Sequence, residues 1–312
     1  MTPGYAHVSR DLLVARAKQA VDALAECNLC PRQCGVNRSK GELGYCRTGR
    51  RAVVASAHLH YGEEAPLVGS RGSGTVFFAG CSLGCVFCQN YDISHDTDQG
   101  HPVRAGQLAG IMLDLQRHGA ANINLVTPSH VVPHILEALV EAAASGLNLP
   151  LVYNCSGYER VETLRMLEGI VDIYMPDIKF YHPEPAAIYC RAGDYPQQAR
   201  AAVKEMHRQV GDLVLDHDGT AVRGLLVRHL LMPDRLAGTM DWLRFVVREI
   251  SKDTYINIMD QYRPCGQAWS YPELCGPIPA QAREEAFAHA RALGLTRIDP
   301  GPKRRLQDFF TL

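Results

Sequence analysis

Thr75-Val76-Phe77-Phe78-Ala79-Gly80-Cys81-Ser82-Leu83-Gly84-Cys85-Val86-Phe87-Cys88 is a short apolar run that stops at a glycine and turns at once into three cysteines. Residues 75–79 have the β-branched and aromatic composition of a buried strand. The cysteines that follow are spaced C-x3-C-x2-C. Three thiolates in one tight loop can hold three irons of a cubane cluster. The fourth iron then has no protein ligand, which leaves the open position a metal needs to take a substrate or cofactor. Gly80 and Gly84 let the backbone turn closely around such a group. The rival readings are a zinc site, which wants four ligands, and a redox disulfide, which needs only two cysteines.

Beyond this loop, strand-like runs alternate with amphipathic stretches. Further strands are expected at Ile123–Val126, 151–153, 171–174, 225–231 and Tyr255–Met259. Between them, Leu108, Ile111, Met112 and Leu115 recur at helical spacing, and Ser129 can cap a helix carrying Ile135, Leu136, Leu139 and Val140. Helices are also expected at 161–167, around Val203, Met206 and Val210, around Leu243, Val246, Val247 and Ile250, and at 279–293. Six strand–helix units predict a parallel sheet with right-handed crossovers. The expected fold class is α/β: a partial (β/α)6 TIM-like barrel over 73–312. An N-terminal cysteine-rich extension, 1–72, would open with a helix and hold a hairpin around 52–61. Periodicity alone does not separate this barrel from a flat doubly wound sheet. Barrel chemistry gathers at the C-terminal ends of strands. Cys81, Thr127, His130, Asn154, Asp177, Lys179, Asp260 and Gln261 all fall there.

A second cysteine set precedes the triplet. Cys27-x2-Cys30-x3-Cys34-x11-Cys46 supplies four thiols, enough for a closed site, either zinc or a fully ligated second iron–sulfur cluster. The spacing is not two C-x2-C pairs, so a zinc ribbon fits imperfectly. Disulfides are the remaining alternative, disfavoured in a reducing compartment. Cys155, Cys190, Cys265 and Cys275 are scattered and read as small buried hydrophobes.

Composition narrows the setting. The 312 residues are 46% hydrophobic and 21% charged, an ordinary globular balance. A formal net charge of −1 gives no global pull toward nucleic acid or an anionic membrane. The basic run Lys303-Arg304-Arg305 reads as a solvated tail. No stretch approaches the roughly 18 apolar residues of a membrane span. Asp11, Arg16 and Lys18 among Leu12, Leu13, Val14 and Val21 read as an amphipathic helix rather than a secretory signal. A cytoplasmic location without a membrane partner is expected.

The triplet, with Phe87 in the aromatic place, resembles the C-x3-C-x-aromatic-C signature of the radical S-adenosylmethionine superfamily. Residues 75–81 and Cys88-Gln89-Asn90 are similar to the pyruvate formate-lyase activating enzyme group, and Asp177-Ile178-Lys179 resembles that group's Asp-Leu-Lys motif. The resemblance covers about residues 70–265 and is closest to a branch called PflX-like. It implies a 4Fe-4S cluster on Cys81, Cys85 and Cys88 whose open iron chelates S-adenosylmethionine. Reductive cleavage would release methionine and a 5′-deoxyadenosyl radical that takes hydrogen from a substrate. It further implies an electron donor such as flavodoxin or ferredoxin. Phe87 would lie by the adenine, Lys179 would pair with the methionyl carboxylate and Asp177 with its ammonium. The chain departs from the group in two places. Arg71-Gly72-Ser73-Gly74 stands where proven activases carry Asp-Gly-Pro-Gly-Ile-Arg. Thr127-Pro128-Ser129-His130 stands where the family has Gly-Gly-Glu. Thr127 Oγ or backbone carbonyls would then hold the ammonium, with His130 a further candidate.

Each of these residues also has a plainer reading: Phe87 a core ring, Asp177 and Lys179 a strand-end ion pair, His130 a helix-start histidine, Asn154 a turn former. Arg228-His229 lies within strand five, where alternation lets only one of the two face the interior; Arg228 there suits a ligand carboxylate. Tyr262 or Arg263 could stand in for a histidine the activating enzymes carry after strand six. His95 and His101 read as solvated loop residues. The substrate classes that compete are a partner protein with an exposed glycine loop, as for activases, and a peptide or small metabolite. A non-catalytic zinc module is the alternative from another class.

Overall fold

The computed structural model describes residues 2–301; the Lys303-Arg304-Arg305 run lies outside them. In chain order come α1 (Arg10–Asp22), β1 (Ala52–His60), α2 (Ala65–Val68), β2 (Ser73–Phe78), α3 (Tyr91–His95), β3 (His101–Val103) and α4 (Ala105–Arg117). β4 (Ile123–Val126), α5 (Val132–Ala144), β5 (Leu151–Cys155), α6 (Val161–Met166), β6 (Ile173–Ile178), α7 (Pro183–Cys190) and α8 (Tyr195–Val210) follow. The chain continues with β7 (Val214–Leu215), β8 (Ala221–Leu230), α9 (Thr239–Phe245), β9 (Tyr255–Met259) and α10 (Ala280–Ala292).

The strands form one mixed sheet in the order β3-β1-β2-β4-β5-β6-β8-β7, with β9 pairing β8. Strands β2, β4, β5, β6, β8 and β9 run parallel to one another and follow in chain order. Helices cover one face and the segment between β1 and β2 the other, so both faces are buried and the strands are apolar without strict alternation: Leu151, Val152 and Tyr153 are all inaccessible or nearly so. Among the described residues no pairing joins β9 back to β3, and the sheet is open.

The sheet curls all the same. Asn124 from β4, Asn154 from β5 and Arg228 from β8 all reach the carboxylate of Glu63, at 3.0, 3.4 and 3.1 Å. On a flat sheet β4 and β8 would stand three spacings, about 14 Å, apart. Glu64 next door accepts from Asn257 of β9 at 2.8 Å. Leu67 of α2 is fully buried against Val152, Ile173, Met175 and Leu226. The segment between β1 and β2 therefore fills the concave side of the sheet.

Three expectations need correction. Residues 52–61 are not a hairpin: β1 is one extended strand, antiparallel to both β2 and β3. The small residues Ala55, Ser56 and Ala57 mark a register shift between Val54 and Ser56 rather than a turn. The sheet thus runs across the 72/73 junction. Ser129 does not cap a helix. Its hydroxyl bonds the buried Glu159 carboxylate, and a 3-10 turn, Ser129–Val131, leads into α5. The fourth parallel strand starts at Ile173 and takes in Met175, Pro176 and Asp177. Its pairing with β8 skips Met175 and Pro176, where proline has no N–H to offer. Arg228 and His229 point apart as expected, but the arginine's partners are side chains of the protein, described next.

Candidate functional site: two cysteine loops over a charged strand end

The triplet sits where β2 ends. Gly80 takes φ +81 and has the Cys46 carbonyl oxygen only 2.4 Å from where a Cβ would stand, so only glycine fits. Leu83 N–H donates to Cys81 Sγ at 3.3 Å, and Ser94 Oγ–H to Cys88 Sγ at 3.3 Å. Cys85 Sγ lies 3.4 Å from Cys190 Sγ at the end of α7. Burial is the main force pushing the Cys81 thiol up to about 12 and raising Cys88 as well. Cys85 is raised by its contact with Cys190 first and burial second, while the nearby Lys179 ammonium pulls the other way. Such a crowded set becomes thiolate only when a bound cation compensates the charge.

The second cysteine loop packs directly on the first. Arg32, between Cys30 and Cys34, donates to the carbonyls of Ser82 (2.9 Å), Leu83 (3.0 Å) and Cys190 (2.9 Å). Its guanidinium lies 3.9 Å over the Tyr45 ring, and Tyr45 O–H donates to the Leu83 carbonyl at 3.3 Å. A cleft of about 900 Å³ is lined by Cys46, Tyr45 and Arg47 from one loop and by Cys81, His95 and Arg191 around the other. Burial pushes Cys30 up to about 12, with Cys46, Cys27 and Cys34 adding to the rise, so these four thiols feel one another. No three cysteine sulfurs fall within 4.8 Å of one another among the described residues.

Beside the triplet lies the charged strand end. Asp177 Oδ2 accepts from Lys179 Nζ at 2.9 Å and Oδ1 from Arg228 Nε at 2.7 Å. Arg228 also donates to Glu63 Oε2 and, at 2.8 Å, to Asn154 Oδ1. Against the cost of burial, Arg228 and then Lys179 hold the Asp177 carboxyl down at about 2. Tyr195 O–H bridges the Ser156 and Asp177 carbonyls at 2.9 Å each and takes the Lys179 N–H, which fixes the end of β6.

The remaining expected residues divide. Thr127 follows β4 in a left-handed conformation, φ +60, that β-branched residues rarely adopt, and its N–H donates to the Asn154 carbonyl at 2.9 Å. Phe87 is buried edge-on to Phe180, with Tyr262 6.4 Å away. Tyr262 gives its hydroxyl to the Leu274 carbonyl. His130 is fully enclosed: Nε2 bonds the Ala79 carbonyl, its own carbonyl takes Arg38 Nη1 at 2.8 Å, and burial pushes its pKa down to about 3. It ties the cysteine-rich extension to the end of β2. His95 is not a solvated loop residue. It stacks on Tyr91 at 3.9 Å and lines the cleft. His101 is exposed on β3.

The chain is 30% identical to the uncharacterized protein MJ0674 of Methanocaldococcus jannaschii over 298 residues, 94% of this chain and 82% of that protein. It belongs to the MJ0674 family. No family model matches it. In this MJ0674 relative the triplet, the second cysteine loop and the charged strand end lie inside one fold, all before residue 265.

Glu63, Arg32 and Glu159 went unseen in the sequence, and Cys190 was read as a small buried hydrophobe, which it is, but not as a neighbour of the triplet. A mid-strand arginine such as Arg228 signals that an acid must face it, but not which one. Arg32, Cys190 and Glu159 carry no local pattern at all; Tyr153 is near Glu159 in the chain, but the other partners lie 30 to 159 residues away.

Proposed function

We propose that this chain is a radical S-adenosylmethionine enzyme, a partial (β/α)6 TIM-like barrel with a cysteine-rich extension, that abstracts hydrogen from a substrate in the manner of the glycyl-radical activases. The reading is carried by one observation: three thiols in C-x3-C-x2-C spacing, Cys85 buried and Cys81 and Cys88 half-buried, close the first of six parallel strands, with the Lys179 ammonium beside Cys85. The donor set suits an iron–sulfur cluster. Zinc with bonds of about 2.3 Å would hold its thiolates about 3.8 Å apart. Neither cysteine set gathers three sulfurs within even 4.8 Å. Thiolates that bind different irons of a cubane stand farther apart, which favours 4Fe-4S clusters at Cys81, Cys85 and Cys88 and at Cys27, Cys30, Cys34 and Cys46.

When bound, cluster and S-adenosylmethionine would supply a 5′-deoxyadenosyl radical. The protein's part is placement. Lys179 spends one N–H on Asp177 and keeps donors for the methionyl carboxylate. Asp177 accepts one bond on each oxygen, which orients Lys179 and Arg228 and leaves each oxygen a lone pair for the methionyl ammonium. Thr127 Oγ and the neighbouring carbonyls serve the ammonium. The open side of the cleft, with Arg47 and Arg191, admits the electron donor, a flavodoxin or ferredoxin. No described helix is long and apolar enough to cross a membrane.

The test is anaerobic reconstitution of wild type and Cys85→Ala with iron and sulfide, then assay of 5′-deoxyadenosine from S-adenosylmethionine under dithionite. Product from wild type and none from the variant is expected. Equal yields would overturn the assignment.

A further inference from the structure

Cys190 has the sequence context of a core residue, yet the fold delivers it to the triplet. It ends α7, is completely buried, and touches Cys85 Sγ at 3.4 Å; no hydrogen-bond contact links it to Cys81 or Cys88. Its position is fixed from both sides. Val86 N–H donates to the Tyr189 carbonyl at 2.9 Å, and Arg32 Nη2 to the Cys190 carbonyl at 2.9 Å. Arg191 then turns left-handed, φ +51, and gives its carbonyl to Arg32 Nη1. Arg32 from one cysteine loop and Val86 from the other thus hold the last turn of α7 where its thiol meets Cys85.

We propose that Cys190 is a positioning residue that donates its S–H to the iron-bound sulfur of Cys85 and thereby raises the reduction potential of the cluster. This rests on the reading of the triplet given above. The separation excludes Cys190 as a fellow ligand. At 3.4 Å the two sulfurs are closer than the edge of a single-metal tetrahedron, about 3.8 Å, and thiolates on different irons are wider still. What remains for a thiol at that distance is a hydrogen bond to the ligand. Such a donor draws electron density off the sulfur, which favours the reduced, more negative state. With Cys190 fully buried, no solvent competes for this bond. Because the reaction begins with an electron delivered to the cluster, the residue would set which donors are strong enough to drive it.

The experiment is a potentiometric titration, followed by electron paramagnetic resonance, of anaerobically reconstituted wild type, Cys190→Ala and Cys190→Ser. The signal to follow is the one that changes on adding S-adenosylmethionine, which separates this cluster from a second one. Iron and sulfide are measured on the same samples. Cys190→Ala should keep its iron and its response to S-adenosylmethionine but titrate at a more negative potential than wild type. Cys190→Ser, which restores a donor, should titrate closer to wild type than the alanine variant does. An unchanged potential in Cys190→Ala overturns the proposal. So does loss of iron from both variants, which would make Cys190 a ligand. A wild type with iron but no signal responsive to S-adenosylmethionine overturns the functional reading itself, and this inference with it.

Discussion

Arg228 Nη1 lies 3.1 Å from Glu63 Oε2, although 165 residues separate them in the chain. The arginine stands in the fifth of the six parallel strands and the acid in the connection before the first. Their meeting closes a part-buried network in which Asp177, Asn154 and Asn124 also take part. One carboxylate from outside the parallel strands thus holds three of them by their inward side chains.

Replacing Glu63 with Ala leaves Arg228 Nη1 and two asparagine amides without their acceptor in a largely buried site, while Asp177 and Asn154 still hold the other arginine nitrogens. The expected loss is about 3 kcal/mol in urea unfolding, the scale for breaking one side of a buried ion pair. Glu63→Gln, which keeps an acceptor oxygen but not the charge, should lose less.

Glu159 is fully buried, bonded to Ser129 and Tyr153, and burial pushes its carboxyl up from 4.5 to about 7. Its neutral form is the one the fold favours. The stability it contributes is fully present below about pH 4.5 and is lost as pH rises through about 7. Glu159→Gln stays neutral and escapes that loss. Relative to wild type, the variant should gain roughly 3 kcal/mol between about pH 4 and pH 8, at about 1.36 kcal/mol per unit. Parallel stability curves would refute the assignment.

A methyl group at Gly80 would meet the Cys46 carbonyl and demand a left-handed conformation from alanine. The backbone penalty alone is about 1–2 kcal/mol. Since both cysteine loops must shift, Gly80→Ala should lower iron uptake at both sets while the secondary structure, read by circular dichroism, persists.

Arg32 fastens the two loops through a planar fork of donors. Lysine's three N–H donors radiate from one nitrogen and cannot reproduce the fork that reaches the Ser82, Leu83, Cys190 and Arg191 carbonyls. Arg32→Lys should therefore speed proteolytic cutting between residues 27 and 46, nearly as much as Arg32→Ala does.

Removing Cys30 and Cys46 together should cut the iron of the reconstituted protein by roughly half, if each set holds one cluster. The response to S-adenosylmethionine should survive. Zinc instead of iron at the wild-type second set would be read directly in the metal content of protein purified without oxygen.

The six parallel strands and most of their helices were legible because each repeats an apolar period that needs no distant partner: Leu108, Met112 and Leu115 declare α4, and Ile123 and Leu125 declare β4. The cysteine spacings were legible for the same reason, since a C-x3-C-x2-C loop is local geometry. Residues 52–61 failed that test. Their small residues look like a turn in isolation, and only pairing on both edges holds them extended. Arg228 declared a need in the sequence, but its acid had to be brought by the curl of the sheet. The sequence by itself thus determined the order of strands and which residues offer sulfur. The tertiary structure alone decided that Glu63 faces Arg228, that Arg32 clasps both cysteine loops and that Cys190 touches Cys85. Hydrophobic period and ligand spacing are written over a few residues, whereas a contact across 105 or 165 positions exists only once burial has folded the chain back on itself.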